Sequence, residues 1–207
     1  MKNIIASLLT LSIFLSQAHA DICCEDNSHS FYAEIFGGAN FLQTTKQKNE
    51  IKVDYETGYM ISGSLGRHWD YGLRIEAEYS YRRNCVRKGR FFCYHFKLPG
   101  KFQSSSYMAN VIWSPSLSSL GFNCWNIKPF VGGGIGYDFQ RTYAKNEGII
   151  FNRSRKGFAW QIVAGLAYPI FCNTDLSLEY KFHKGKFKHL YNHTVGIGLT
   201  YSFGLNS

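Results

Sequence analysis

Leu73-Arg74-Ile75-Glu76-Ala77-Glu78-Tyr79-Ser80-Tyr81-Arg82 is the stretch whose reading decides the fold. Its odd positions are Leu, Ile, Ala, Tyr and Tyr, and its even positions are Arg, Glu, Glu, Ser and Arg. A period of two belongs to a β-strand with one apolar and one polar face. The same alternation recurs, with varying strictness, over 31–41, 57–69, 104–113, 128–137, 158–168, 175–183 and 194–203, giving eight strands with the first. Asp70-Tyr71-Gly72 reads as a tight turn leading into the strand at 73–82. Most of these stretches reach the roughly 9–11 residues that a tilted strand needs to cross a bilayer.

Alternation alone does not say which face points inward, because a soluble barrel buries its apolar face and a membrane barrel turns it to lipid. Side-chain size separates the two. The apolar faces carry Tyr, Trp, Phe and Leu on nearly every strand, too much bulk for the interior of eight strands. The opposite face of 128–137, 158–168 and 194–203 is Gly, Ala, Ser, Thr and Gln, which suits a crowded interior, whereas a water-facing surface would carry more Lys and Glu. The expectation is therefore an all-β protein: an eight-stranded antiparallel up-and-down transmembrane β-barrel. Short connections at 70–72 and 171–174 mark one end. Longer loops are expected at about 43–56, 83–103, 138–157 and 184–193, and the connection 114–127 is longer than this pattern requires.

Residues 1–20 read as a signal peptide, with Lys2 as the basic start, an apolar stretch from Ile4 to Leu15, and Ala18-His19-Ala20 as the cleavage site. Residues 21–207 then form the barrel domain. Export fits the six cysteines, which imply an oxidising compartment. Cys85 and Cys93 bracket a short segment within one expected loop and are expected to pair. Cys23, Cys24, Cys124 and Cys172 are expected near the opposite end; their pairing stays open, and so do cross-links between chains. The absence of any C-x-x-C pair argues against a zinc site.

Three segments carry a resemblance to a known family: Tyr32-Ala33-Glu34-Ile35-Phe36-Gly37-Gly38, the run from Lys128 to Tyr137, and Gly196-Ile197-Gly198-Leu199-Thr200-Tyr201-Ser202-Phe203. They resemble the eight-stranded outer-membrane barrels of the OmpA/OmpX-like superfamily, in its porin-family or surface-antigen group. The resemblance implies a bacterial outer-membrane address, outer-membrane lipid and lipopolysaccharide as neighbours, and a monomer. It also implies a closing strand read by the barrel-assembly machinery, although here four residues follow Phe203.

Candidate chemistry lies in two places. Glu34, Arg74, Glu76, Glu78, Arg82, Glu179 and Lys181 share the inward parity and are expected to form a lumen charge network, since buried charges must pair. The formal charge of +9 is concentrated in the expected outer loops: Arg83, Arg87, Lys88, Arg90 and Lys97 in one, Arg153, Arg155 and Lys156 in another, Lys184, Lys186 and Lys188 in a third. Such a patch attracts anions, whether lipopolysaccharide phosphates, sulfated glycans or acidic host or envelope surfaces. Export argues against nucleic acid.

His183-Lys184-Gly185 resembles the His-containing strand of lipid A deacylase barrels, which need a Ser where Gly185 stands, so no enzyme and no cofactor are expected. His183, His189 and His193 match no tight metal spacing. Gly132 to Gly136 precede no helix or phosphate-loop Lys, and relief of crowding is the reading for them. The expected function is a non-enzymatic outer-membrane barrel, structural or adhesive through its basic loops. The alternatives are a narrow passive pore or a disulfide-cross-linked structural envelope protein.

Overall fold

The computed structural model describes residues 30–44, 52–91, 94–96, 100–115, 127–146, 149–186 and 190–203. The expected signal segment lies outside them, as do Cys23, Cys24, Cys93 and Cys124. The chain runs β1 (Phe31–Thr44), β2 (Lys52–Tyr55), β3 (Gly58–His68), β4 (Leu73–Phe91), β5 (Tyr94–Phe96), β6 (Gly100–Trp113), β7 (Lys128–Asn146), β8 (Ile149–Phe171), β9 (Thr174–Lys184) and β10 (Leu190–Phe203). Eight of these close a barrel in the order β1-β3-β4-β6-β7-β8-β9-β10, every pairing antiparallel, while β2 and β5 are short strands that pair with β4. Closure comes from β1 against β10, in unbroken register from Phe31↔Phe203 to Thr44↔Leu190. The protein is thus a closed up-and-down β-barrel. Among the described residues no helix is long and apolar enough to cross a membrane.

Burial inverts the usual order of a soluble protein. Along β4, Arg74, Glu76, Glu78, Ser80, Arg82 and Asn84 are buried, while Ile75, Ala77 and Tyr79 face out. The outward surface has a middle band of aliphatic residues, including Ile61, Leu65, Val111, Ile135, Leu178 and Ile197, all exposed. Aromatic residues border that band. Tyr79, Tyr107, Tyr137 and Phe158 stand side by side across β4, β6, β7 and β8 in one row. Phe31, Trp69, Trp113, Tyr168 and Phe203 are exposed at the other end. An apolar belt between two aromatic girdles is the outer surface of a membrane barrel, and in water it would far exceed the apolar patches that monomers expose.

The turn between β3 and β4 shows how tightly the lower end is closed. Tyr71 (φ 61°) and Gly72 (φ 73°) both take the left-handed conformation, and the Leu73 amide donates to the Asp70 carbonyl. Two positive φ angles in a two-residue turn match the twist of the flanking strands. Glycine serves a different need on β7, where a Cβ on Gly134 would meet the Asn110 side chain and, at 2.8 Å, the Ala109 carbonyl oxygen. Gly134 leaves the lumen to the larger side chain from the neighbouring strand.

The long loops expected at 83–103 and 138–157 are instead mostly wall. β4 runs on to Phe91, β6 begins at Gly100, and β7 pairs with β8 without a register break from Lys128↔Ala167 to Asn146↔Ile149. The expected loops at 43–56 and 184–193 are likewise shortened by β2 and by the start of β10. Charge density makes these segments look like loops, but alternation continues through them: Asp138 and Gln140 are buried while Phe139, Arg141 and Tyr143 are exposed. At about 3.3 Å per residue, the 23 residues of β8 reach well beyond the roughly 9–11 that a bilayer crossing needs. The surplus forms a tall wall on the β4-β6-β7-β8 side.

Replacing Gly134 with valine is expected to destabilise the refolded barrel by about 1–3 kcal/mol through overpacking. The urea midpoint, followed by the mobility difference between heated and unheated protein on a gel, measures this; an unchanged midpoint would mean that the lumen has room to spare.

Candidate functional site

The lumen is a connected polar core. At its centre the Lys181 ammonium, from β9, lies 3.1 Å from Glu78 Oε2 on β4, 3.4 Å from Glu179 Oε2 on β9 and 3.8 Å from Glu34 Oε1 on β1. β4 and β9 stand on opposite walls of the barrel, so the Lys181–Glu78 pair bridges the lumen. The Phe36 ring caps it, with the ring centroid 4.4 Å from Nζ. The carboxylates are held in turn: Ser177 Oγ donates to Glu179 at 2.5 Å and Thr200 Oγ1 donates to Glu34 at 3.2 Å. Glu76 accepts from the Tyr32 hydroxyl at 2.7 Å and from the Asn110 amide at 2.8 Å. Gln161 links Asn110, at 2.8 Å, to Glu78, at 3.2 Å.

Arg74 lies below this network, its guanidinium 5.0 Å from the Phe130 ring centroid and 5.6 Å from that of Tyr32. Arg82 lies above it, fully buried, and donates through one terminal nitrogen to Ser80 Oγ at 2.9 Å and Ser106 Oγ at 2.6 Å. All seven residues read from parity as lumen charges are therefore buried, but only Glu34, Glu78, Glu179 and Lys181 meet as ion pairs among the described residues.

Sequence reading misses two further charge-bearing members. Asp138 and His183 are fully buried, with His183 Nε2 3.1 Å from Asp138 Oδ2 and Ser104 Oγ donating to Asp138 Oδ1 at 2.6 Å. Asp138 falls in an expected loop, yet it continues the inward parity of Gly132, Gly134 and Gly136 on β7, which is the signal that could have found it. The hydroxyl and the imidazole both engage the carboxylate, so Ser104 is not placed for His183 to deprotonate, as a nucleophile pair would require. A Cβ on Gly185 would press on Asp138 Oδ2 and Gln140 Nε2, so a side chain there would have to displace them.

The three histidines do not form a set. His183 faces the lumen, His193 lies on the other face against Tyr180, 2.8 Å from its hydroxyl, and His189 lies outside the described residues. Among the described residues no cluster of three or more metal-ligating side chains occurs.

The basic residues gather on the tall wall. Above the row of Tyr79, Tyr107, Tyr137 and Phe158, the next outward row places Lys156 beside Phe139. The row above that sets Arg83 and Arg141 on either side of Gln103, and the one beyond carries Lys101 beside Cys85 and Tyr143. Arg141, Lys101 and Lys156 are exposed and Arg83 is half-buried. Lys101 and Arg141 thus join the candidate residues chosen from sequence. Arg155 has inward parity, Lys186 is exposed beyond β9, and Lys184 lies over the Tyr191 ring, 4.8 Å from its centroid. Arg87, Lys88 and Arg90 continue β4 and Arg153 belongs to β8, whereas Lys97 and Lys188 lie outside the described residues.

Cys85 is exposed and free, with Lys101 opposite it in register, and Cys93, its expected disulfide partner, lies outside the described residues. Cys172, in the turn after β8, is also exposed and free.

Lys181→Met would leave three buried carboxylates without their shared cation. The expected cost is about 3–5 kcal/mol, read as a lower urea midpoint, with Glu78→Gln in the same chain restoring part of it. A midpoint equal to wild type would mean that the carboxylates are already neutral.

Comparison with known proteins agrees with this geometry. A family model described as an outer membrane protein β-barrel domain matches residues 6–203. An outer membrane protein of Gluconacetobacter diazotrophicus is 27% identical over 185 residues, covering 83% of this chain and 47% of the relative. The chain thus spans about half the length of that protein. Neisserial surface protein A superposes with a TM-score of 0.59 at 17% identity, over 84% of this chain and 97% of its own. The attachment invasion locus protein Ail of Yersinia pestis, in complex with the heparin analogue sucrose octasulfate, gives 0.56 at 14% identity, over 85% and 99%. A major outer membrane protein of Thermus thermophilus gives 0.56 at 12%, over 84% and 100%. At such identities the three structures show a shared fold. Together with the match over almost the whole chain, the lipid-facing belt and the polar lumen, they lead to one conclusion: the chain belongs to the outer membrane protein β-barrel family.

Proposed function

We propose that this protein is a non-enzymatic surface barrel whose tall basic wall binds anionic ligands outside the cell, sulfated glycans in particular. The observation that carries this reading is the outward stack of Lys156, Arg83, Arg141 and Lys101 on adjoining strands, just beyond an aromatic girdle. Within those rows the described outward neighbours are Tyr81, Cys85, Gln103, Ser105, Phe139, Tyr143 and Ser154, none of them acidic. Closely spaced cations on a stiff wall present a multivalent field to a polyanion, and strand pairing fixes their spacing in advance. Ail, of the same fold, was captured with a sulfated sugar, which supports the ligand class. A passive pore finds no comparable support in a lumen crossed by Lys181 and its three carboxylates.

The test is binding of the refolded barrel to heparin and to lipopolysaccharide across a salt series, beside a variant carrying Arg83→Gln, Lys101→Gln, Arg141→Gln and Lys156→Gln. Heparin binding that weakens with salt and falls on the order of tenfold or more in the variant is expected. Binding to lipopolysaccharide alone, or undiminished heparin binding by the variant, would sink the adhesive reading.

The exposed thiol of Cys172 favours a second reading, a cross-linked envelope protein. A reductant-sensitive dimer band lost in Cys172→Ser would support it, and a lone monomer without reductant would remove it.

A further inference from the structure

At the end of the barrel that carries the short turns, a shallow hollow of about 410 Å³ opens on the outer, lipid-facing side. Phe31, Leu65, Gly66, Arg67, Ile75 and Phe203 line it. Strand pairing brings them together: Phe31 of β1 lies opposite both Phe203 of β10 and Arg67 of β3, and Arg67 lies opposite Ile75 of β4. The lining, which Tyr32 completes, is mainly apolar, and among the described residues its one charge is Arg67.

That charge is held but not neutralised. The Arg67 guanidinium sits 5.3 Å from the Phe31 ring centroid and 5.5 Å from that of Trp69. Its Nε has no hydrogen-bond partner, and among the described residues no carboxylate forms an ion pair with it. Two aromatic faces fix the guanidinium in place; Nε is buried, so its terminal nitrogens are the donors that a planar or tetrahedral oxyanion in the hollow would meet. Short turns mark the periplasmic end of such barrels, which puts Arg67 at the level where inner-leaflet headgroups meet the acyl region. An arginine at that depth beside an apolar groove matches an amphiphile with a phosphate at one end and a hydrocarbon chain at the other.

We propose that this hollow is a binding site for one phospholipid of the inner leaflet. The phosphate lies against Arg67, and one acyl chain lies in the groove along Leu65 and Ile75. The site depends on the membrane placement of the barrel and is independent of any ligand on the basic wall.

The full chain, refolded into phosphatidylcholine nanodiscs containing a minor fraction of phosphatidylglycerol, would be released into mild detergent and its retained lipid counted by native mass spectrometry. Arg67→Gln removes the cation, and Ile75→Trp fills the groove but keeps it. Both substitutions lie on the lipid-facing surface, and the heated-against-unheated gel shift checks that each variant is folded. One phosphatidylglycerol per barrel, reduced roughly tenfold in both variants, is the expected result. Equal retention by wild type and Arg67→Gln would overturn the phosphate contact. Retention unchanged in Ile75→Trp, or displacement of the lipid by free glycerophosphate, would reduce the site to a small-anion contact and overturn the lipid. A loss of vesicle insertion in wild type would instead count against the membrane placement itself.

Discussion

A single ammonium group bridges the interior of this barrel, and the arrangement of the interior follows from the need to keep it paired. Eight strands leave a lumen just wide enough for side chains, so a charge placed there meets other side chains before it meets water. Lys181 reaches from β9 to Glu78 on the facing wall, with Glu34 and Glu179 on its flanks. Among the described residues Glu34, Glu76, Glu78, Glu179 and Asp138 are five buried carboxylates against three buried permanent cations, Arg74, Arg82 and Lys181. The imbalance explains the dense supply of neutral donors around them, from Tyr32, Asn110, Gln161, Ser104, Ser177 and Thr200. It also explains the small inward residues. A Cβ at Gly198 would meet Ser177 Oγ and Glu179 Oε1, and one at Gly134 would meet Asn110. The lumen is filled by polar side chains together with a smaller apolar cluster of Ile112, Phe130, Val163 and Ala167.

Much of this is legible in the sequence, for a physical reason. A wall with lipid on one side and a tight polar interior on the other imposes a strict period of two, and 73–82 displays it without exception. The side of each lumen charge follows from parity alone. Its partner does not, because the neighbour of Lys181 across the lumen depends on how all eight strands are staggered. The extent of the wall is hidden at 83–103 and 138–157, where many charges suggest loops. Outside the membrane an outward strand face meets water, so Arg and Lys there are as compatible with a strand as with a turn. The same ambiguity conceals Asp138.

The uneven wall gives the molecule two different sides. On the β1-β3-β9-β10 side the strands have 11 to 14 residues, close to what a bilayer crossing uses. On the other side β4, β7 and β8 have 19, 19 and 23, and the excess holds the outward cations in rows. Backbone pairing beyond the membrane sets the spacing of these cations by the ladder and not by loop conformation, and a ligand that met them there would incur a smaller ordering cost. The barrel fold itself persists at identities of 12 to 17%, because it asks only for alternation.

The closing seam sets the order of assembly. β1 and β10 pair across nearly the whole chain, joining Phe31 to Phe203, and Lys181 finds Glu78 over a separation of 103 residues. Contacts so distant in sequence form late and slowly, because loop entropy is lost before any of them is gained. Until the seam shuts, β4 and β9 belong to an open curved sheet and their inward charges remain hydrated. Shutting it strips that water and forms the ion pairs in one event. An open intermediate therefore has little reason to insert deeply, and a finished barrel has little reason to reopen, since any gap in the seam exposes the Lys181 cluster to the membrane. Barrier height, more than equilibrium stability, keeps such a protein in place.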